Sequence, residues 1–562
     1  MAVLGQWTGA TTSLLPSTTW AAPNGLFPTQ ARNDLGSYAW TSATSTLTLP
    51  SSDLADGYLV VGAFEFENTN NNRHNPQGRF VQASGTGNFV SGVTGGYDRD
   101  SSEDRSYVRT YAFIDNPSAS ATLQFQWRRD TDTPTGGTVR SEIQVIPFFY
   151  SNIGIYSSNS NVFGGGTVPS QVIGWSAVHE SDTAAIELSS NVVTTKNDKR
   201  YLTLGSQYYE NNSGSRTQRW YGLTVDGVDL DQAKSYSYYR NANNGQNGSY
   251  YTWVVDGTST IASYRFRGYG SGNGEGGADV DGTSGVIGGQ HSLVVIELND
   301  SAELFESVGS TNQNFAATGP IDVQATKVGD IQLEDTGSFT RASDTAMNVE
   351  KDADILLGSN IGMASENVAS RQRWTAYSEV TINGTEVPLS FHGSYLRNLN
   401  GTRPTYGFSV NMLGFHSVTS GDDVGLSVTE LAGTEGGGGA IHAQAGWVGF
   451  WGVNIDTLQT PANLSTDELG SIPALNVPFF PFIGIPEEGD VTSAAITSLV
   501  ASEITANQVE DGDTTTAVIN SPSSVTANQT EAGDTTTAVL KSPSSITADQ
   551  VEEGDTTSAN LH

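Results

Sequence analysis

The hydrophobic residues of this chain fall in short bursts separated by Gly, Asn, Ser, Thr and Pro. Within several bursts apolar and polar positions alternate, as at Leu123, Phe125 and Trp127, which turns one face of a strand toward a core. In the first quarter of the chain this pattern predicts strands over 46–49, 58–66, 79–83, 107–114, 122–127 and 143–148. No segment sustains an i, i+3, i+4 apolar stripe for more than about two turns, so helical domains are not expected.

The same pattern returns twice. An apolar strand containing a glycine reads Tyr58-Leu59-Val60-Val61-Gly62, then Tyr201-Leu202-Thr203-Leu204-Gly205, then Ile355-Leu356-Leu357-Gly358. Each copy is followed by a Glu-Asn pair, at Glu67-Asn68, Glu210-Asn211 and Glu366-Asn367. An arginine with an aromatic comes next, at Arg79-Phe80, Arg219-Trp220 and Arg373-Trp374. A second arginine, Arg99, Arg240 or Arg397, precedes a turn and an aromatic strand with Tyr107 and Tyr111, Tyr250 and Trp253, or Tyr406 and Phe408. An apolar strand closes each copy, at 143–148, 293–298 and 447–455. A unit of about 150 residues is a whole domain and not a solenoid repeat.

The expected fold class is all-β: three tandem antiparallel β-sandwich domains of jelly-roll type, followed by a small repetitive β region. An immunoglobulin-like sandwich competes, but it runs nearer to about 100 residues. The expected boundaries are 1–150 (an N-terminal arm plus the first sandwich), 151–305, 306–465, a Pro/Phe-rich linker over 466–486, and repeats over 487–562. In the repeats Gly512-Asp513, Gly533-Asp534 and Gly554-Asp555 recur at 21-residue spacing, with Ser-Pro-Ser-Ser segments between them. One such unit is too small to close a core, so stacking in series or pairing with another chain is expected.

Charge narrows the partners. Asp and Glu number 60 against 26 Lys and Arg, a formal net charge of −34, which repels nucleic acid and anionic membranes. The chain has no cysteine, which removes disulfides and thiol chemistry. Its start has neither a basic nor an apolar leader region, so no secretory signal peptide is expected, and no apolar run reaches the ~18 residues of a membrane span.

Candidate chemistry is sparse. The seven histidines form no zinc-binding pattern, although His392 and His416 could approach each other in the third unit. Glu67, Glu210 and Glu366 could be read as glycosidase carboxylates, but a residue required at the same strand end three times points to structure. The arginines Arg79, Arg219, Arg373, Arg99, Arg240 and Arg397 read as pins between strands, since guanidinium both stacks on rings and forks to carboxylates. No cofactor is expected; calcium alone has candidate ligands, at Asp279-Val280-Asp281-Gly282, at Asp98, Asp100, Glu103 and Asp104, and at Asp226, Asp229 and Asp231, where a solvated acidic loop is the default reading. Tyr236, Tyr238, Tyr239, Tyr250 and Tyr251 read either as an exposed platform for glycan or protein or as edge packing.

The C-terminal Gly-Asp-Thr-Thr-Thr-Ala-Val and Ser-Pro-Ser-Ser-Ile-Thr-Ala repeats resemble short threonine-rich repeats in virion proteins of tailed bacteriophages. Tandem jelly rolls on a cysteine-free, Gly/Asn/Thr-rich chain are similar to tail-fibre, spike and capsid-decoration proteins. The resemblance implies a non-enzymatic virion surface protein, made in the host cytoplasm without catalytic residues. Its expected partners are itself, as a homo-oligomer such as a trimer, other virion proteins and a host surface glycan, with no nucleic acid and no membrane insertion. The alternative reading is a secreted carbohydrate-binding or carbohydrate-active jelly-roll protein of an aquatic microbe.

Overall fold

Eleven strands build the first sandwich: β1 (Gly5–Gly9), β2 (Thr29–Asn33), β3 (Ala39–Thr41), β4 (Thr46–Thr48), β5 (Gly57–Asn68), β6 (Pro76–Ser84), β7 (Asn88–Ser91), β8 (Thr94–Gly95), β9 (Arg105–Asp115), β10 (Thr122–Arg129) and β11 (Gly136–Phe148). They form two antiparallel sheets, ordered β2-β1-β11-β5-β9-β7 and β3-β4-β10-β6-β8. From β4 to β6, and again from β9 to β11, successive strands change sheet, so the chain wraps around the core as in a jelly roll. On β10 the alternation seen in the sequence holds, with Leu123, Phe125 and Trp127 buried and their neighbours partly exposed. Phe125 meets Phe27, Phe64 and Phe80 at centroid separations of 5.3, 6.2 and 5.3 Å, all edge to face. Each buried ring contributes about 2–3 kcal/mol of hydrophobic stabilisation.

The computed structural model describes residues 4–34, 38–50, 55–69, 72–97, 105–118, 121–129, 135–159, 170–210, 217–239, 246–266, 291–309, 313–315, 321–322, 337–365, 373–397, 405–431 and 441–458, and the strands between 482 and 561. The chain divides into two compact units, Met1–Ala462 and Asn463–His562.

The strand order of the first sandwich is repeated. In the second, Ser176–Glu180, Ile153–Ser158, His291–Glu297, Arg200–Glu210 and Gln246–Asp256 follow one another as β2, β1, β11, β5 and β9 do. In the third, Leu304–Val308, Ile441–Asn454, Ala353–Ser365 and Thr405–Val418 take the places of β1, β11, β5 and β9. The facing sheets correspond likewise, Ile186–Ser189 and Phe339–Arg341 standing where β3 stands. Three tandem antiparallel sandwiches therefore share one topology. The repeated glycine lies on the central strand each time. At Gly205 an added Cβ would lie 2.1 Å from the Tyr251 ring, and at Gly358 2.2 Å from the Trp451 ring, so glycine there makes room for a ring from the adjacent strand. Tight hairpins use the expected chemistry: Asn383-Gly384, at φ of 53° and 72°, joins Arg373–Ile382 to Thr385–Arg397.

The second unit is built differently. Its strands run parallel in two sheets, Phe482–Ile483, Ile504–Gln508, Ser524–Gln529 and Ser545–Gln550 in one, and Val491–Ile496, Thr514–Asn520, Thr535–Lys541 and Thr556–Leu561 in the other. Successive strands alternate between the sheets, and Thr514, Thr535 and Thr556 pair in register, as do Thr505, Thr526 and Thr547. The 21-residue period is thus the length of one two-strand layer, and like residues stack on like. Among the described residues no helix is long and apolar enough to cross a membrane.

Candidate functional site

Within the first unit the three sandwiches pack on one another. Each delivers a tyrosine from the same edge of its second sheet: Tyr97 just after β8, Tyr238 on Ser235–Tyr239, and Tyr395 on Thr385–Arg397. Their rings lie 4.9, 4.9 and 5.4 Å apart, so every sandwich touches the other two and the three close a ring in approximate threefold fashion. One apolar cluster draws Leu59, Val61 and Tyr111 from the first, Leu202, Leu204 and Tyr250 from the second, and Leu356, Leu413 and Phe415 from the third. A cavity of about 20 Å³, room for about one water molecule, lies beside the tyrosines and is lined by Thr94, Asn247, Tyr250 and His392.

The three seams differ in chemistry. Between the first and second sandwiches, Tyr111 Oη and Ser292 Oγ share a hydrogen bond of 2.9 Å, and Tyr208 Oη donates to Gln77 Oε1 at 3.2 Å. Between the second and third, Tyr250 and Asn411 exchange bonds of 2.7 Å, the tyrosine hydroxyl to the Asn411 carbonyl and the Asn411 amide to the Tyr250 carbonyl. The Trp220 and Trp447 rings meet there at 5.2 Å.

The seam between the first and third is ionic. Arg109, 1% exposed on β9, donates from Nε to the Phe391 carbonyl at 3.1 Å and from Nη1 to the Leu413 carbonyl, and lies 3.3 Å from Glu142 of β11. Arg140 bridges Glu65 of its own sandwich to Glu379 of the third and stacks over Phe391 at 4.1 Å. Arg32 forks onto Asp354 at 2.6 and 2.8 Å, and Gln144 both donates to and accepts from the Phe415 backbone. Burial raises the Glu142 carboxyl despite Arg109, and raises Glu379 to about 7 despite Arg140. Burial, with Arg109 adding to it, lowers His392 and His416 to about 3, so both are neutral. His392 Nδ1 accepts a hydrogen bond from the Asn411 amide at 2.9 Å. Enclosed and mutually bonded, these groups are placed to hold one sandwich to another.

The tyrosine platform does not lie at the surface. Tyr236, Tyr238, Tyr250 and Tyr251 are all 5% exposed or less, because the strand ends that looked like edges are covered by neighbouring sandwiches or by the second sheet. Tyr251 instead bonds Ser263 and Gln207, and the Tyr239 side chain lies outside the described residues. Arg79 joins strands: it donates to Gln126 on β10 at 2.9 Å and lies over Trp20 at 4.2 Å, with burial and Arg128 lowering it to about 10. Arg219 and Arg373 occupy strands equivalent to β6, and Arg373 pairs in register with Arg397, their side chains lying outside the described residues. Arg99, Arg240 and Glu366 also lie outside the described residues. Glu67 sits opposite Arg105 on β9, and Glu210 ends the strand equivalent to β5. The buried carboxylate of that region is Glu65, two residues earlier, which takes both Arg105 and Arg140. The repeats could not single it out, because its partner strands lie far off in the chain.

Of the acidic clusters, Asp226 turns a hairpin and accepts from Thr260 N and Oγ1 at 2.8 and 3.0 Å, while Asp229 and Asp231 pair with Lys234. The clusters at 98–104 and 279–282 lie outside the described residues. Among the described residues no group of three His, Asp or Glu could hold a metal ion. A wider cleft of about 570 Å³ opens between the second and third sandwiches, lined by Asp198, Lys199, Arg200, Asp256, Asp300 and Glu303 among others. Lys199 pairs with Asp300 at 2.5 Å and Arg200 with Asp256 at 3.7 Å.

No family model matches the chain, and no curated protein matches it. Among solved structures, crystal structures of murine APRIL at pH 5.0 and pH 8.5 are similar to 26% and 27% of this chain and 98% of each of theirs, at 11% and 10% identity and a TM-score of 0.18.

Proposed function

We propose that this chain is a non-enzymatic structural protein of a bacteriophage particle surface, of the tail-fibre, spike or capsid-decoration type. The observation that carries the reading is the architecture: three copies of one sandwich closed on each other, and a separate unit of in-register 21-residue layers. Repetition of this kind builds a durable body from one module. The polar side chains at its centre bond to each other and to backbone, which suits a brace better than a site that must admit substrate. The net charge of −34 supports a solvent-facing life at high copy number and disfavours nucleic acid. Self-association belongs to the repeats in this reading, since the sandwiches already fill their own seams, and a host glycan is the surface partner.

The test is immunogold electron microscopy of phage particles, with antibody raised against the purified chain, together with a glycan array. Labelling at the capsid or tail is expected. Absence of the chain from particles, with saturable glycan binding or hydrolysis, would move the reading to a secreted carbohydrate-binding or carbohydrate-active protein, and the polar cleft lined by Asp198, Asp256 and Asp300 is where that activity would be sought.

A further inference from the structure

The first and second sandwiches, and the second and third, follow each other directly along the chain, separated by residues 149–152 and 298–303. The first and third are held only by non-covalent contacts, so their seam is where the ring closes. That seam is rich in charge, and the field of its Arg109 reaches two imidazoles of the third sandwich, His392 at the junction with the second sandwich and His416. His416, 8% exposed, has its Nε2 buried with no hydrogen-bond partner among the described residues. A proton there would find no acceptor. His392 uses Nδ1 to accept from the Asn411 amide, so a proton on that atom would break the bond. His392 also lines the small cavity, which accounts for the accessible surface it keeps. The charged neighbours are Arg109, whose guanidinium bonds the Phe391 and Leu413 carbonyls beside both rings, and Glu142, already engaged by Arg109, Gln6 and Gln144. The Tyr250 ring lies 6.1 Å from that of His392; next to His416 along its strand, Ser417 bonds the Arg32–Asp354 pair. Beyond Phe391 lies the Arg140–Glu379 pair.

We propose that the seam between the first and third sandwiches is an acid-operated latch, which opens when protons enter at His416 and His392. Both histidines sit at about 3 when enclosed and return toward about 6.5 when released, so each favours opening as pH falls between those values. Glu142, raised by burial, and Glu379, raised to about 7, favour closure as pH falls toward about 4.5, where a free glutamate titrates. Above about pH 4.5 the glutamates oppose the histidines. Below it the histidines act alone, at about tenfold per pH unit each, or about a thousandfold between pH 4.5 and 3.

The experiment follows histidine ring signals by NMR and the radius of gyration by small-angle X-ray scattering, on the whole chain from pH 7 to 3. The expected result is that His392 and His416 stay neutral while exposed histidines titrate, and that both take up protons together with an expansion below about pH 4.5 that preserves the far-UV strand signal. Replacing both, His392→Gln with His416→Gln, should lower the expansion midpoint by at least one pH unit, and Glu379→Gln, which mimics a carboxyl already protonated at that pH, should leave it unchanged. Titration of either ring near pH 6.5 without expansion, a wild-type radius unchanged to pH 3, or an unshifted midpoint in the double variant would overturn the latch. If the double variant does not fold, the wild-type ring titration decides alone.

Discussion

At the scale of single residues, the glycines on the central strands are the sharpest constraint. Gly358 leaves the space that the Trp451 ring fills, and an alanine there would sit 2.2 Å from ring atoms. Gly358→Ala is therefore expected to destabilise the first unit by about 1–3 kcal/mol, the usual cost of overpacking, read from thermal unfolding. A change below about 0.5 kcal/mol would mean the ring yields freely. Glu306 offers a test with a definite sign. Burial, reinforced by Asp256 and opposed by Arg200, lifts it to about 8, and its Oε1 has no partner among the described residues. The folded chain thus holds a proton that the unfolded chain releases between about pH 4.5 and 8, so this group's contribution to stability falls as pH rises through that window. Glu306→Gln should raise the melting temperature at pH 8.5 and leave it unchanged at pH 4; equal shifts at both would place the carboxyl elsewhere.

At the scale of elements, strand identity was readable along the chain, and the assembly of the strands was not. Alternation at Leu123, Phe125 and Trp127, the recurrent glycine strands and the 21-residue period are local signals, and each corresponds to an element of the structure. The seam residues are not local: Arg109 reaches Phe391 and Leu413, 282 and 304 positions away, and nothing in the sequence around Arg109 marks that meeting. The same blindness left Tyr236, Tyr238, Tyr250 and Tyr251 open between an exposed platform and edge packing, because a strand end looks exposed until its neighbouring sandwich is in place. The seam makes a prediction of its own. Arg109→Ala strands Glu142 in the interior and should cost about 3–5 kcal/mol, whereas Arg109→Met with Glu142→Leu should recover most of that loss, both read from denaturant unfolding. An additive double variant would separate the two side chains energetically. In the repeats, register demands whole layers. Removing residues 522–542, one full period of 21, should preserve strand content by circular dichroism, and removing 522–541 should diminish it, since a one-residue slip turns every later side chain to the opposite face.

In the whole molecule one module is used three times, with rings and charges joining the copies to each other. Closure within one chain gives each sandwich its neighbours at fixed high effective concentration, so assembly of the body does not depend on protein concentration. The direct measurement is a cryo-electron microscopy map of the purified full-length chain at neutral pH. The predicted map shows three sandwiches of one strand order in mutual contact, with Tyr97, Tyr238 and Tyr395 converging at their junction and Arg109 inserted between the first and third. Three separated sandwiches strung along the chain, or three with different strand orders, would contradict it.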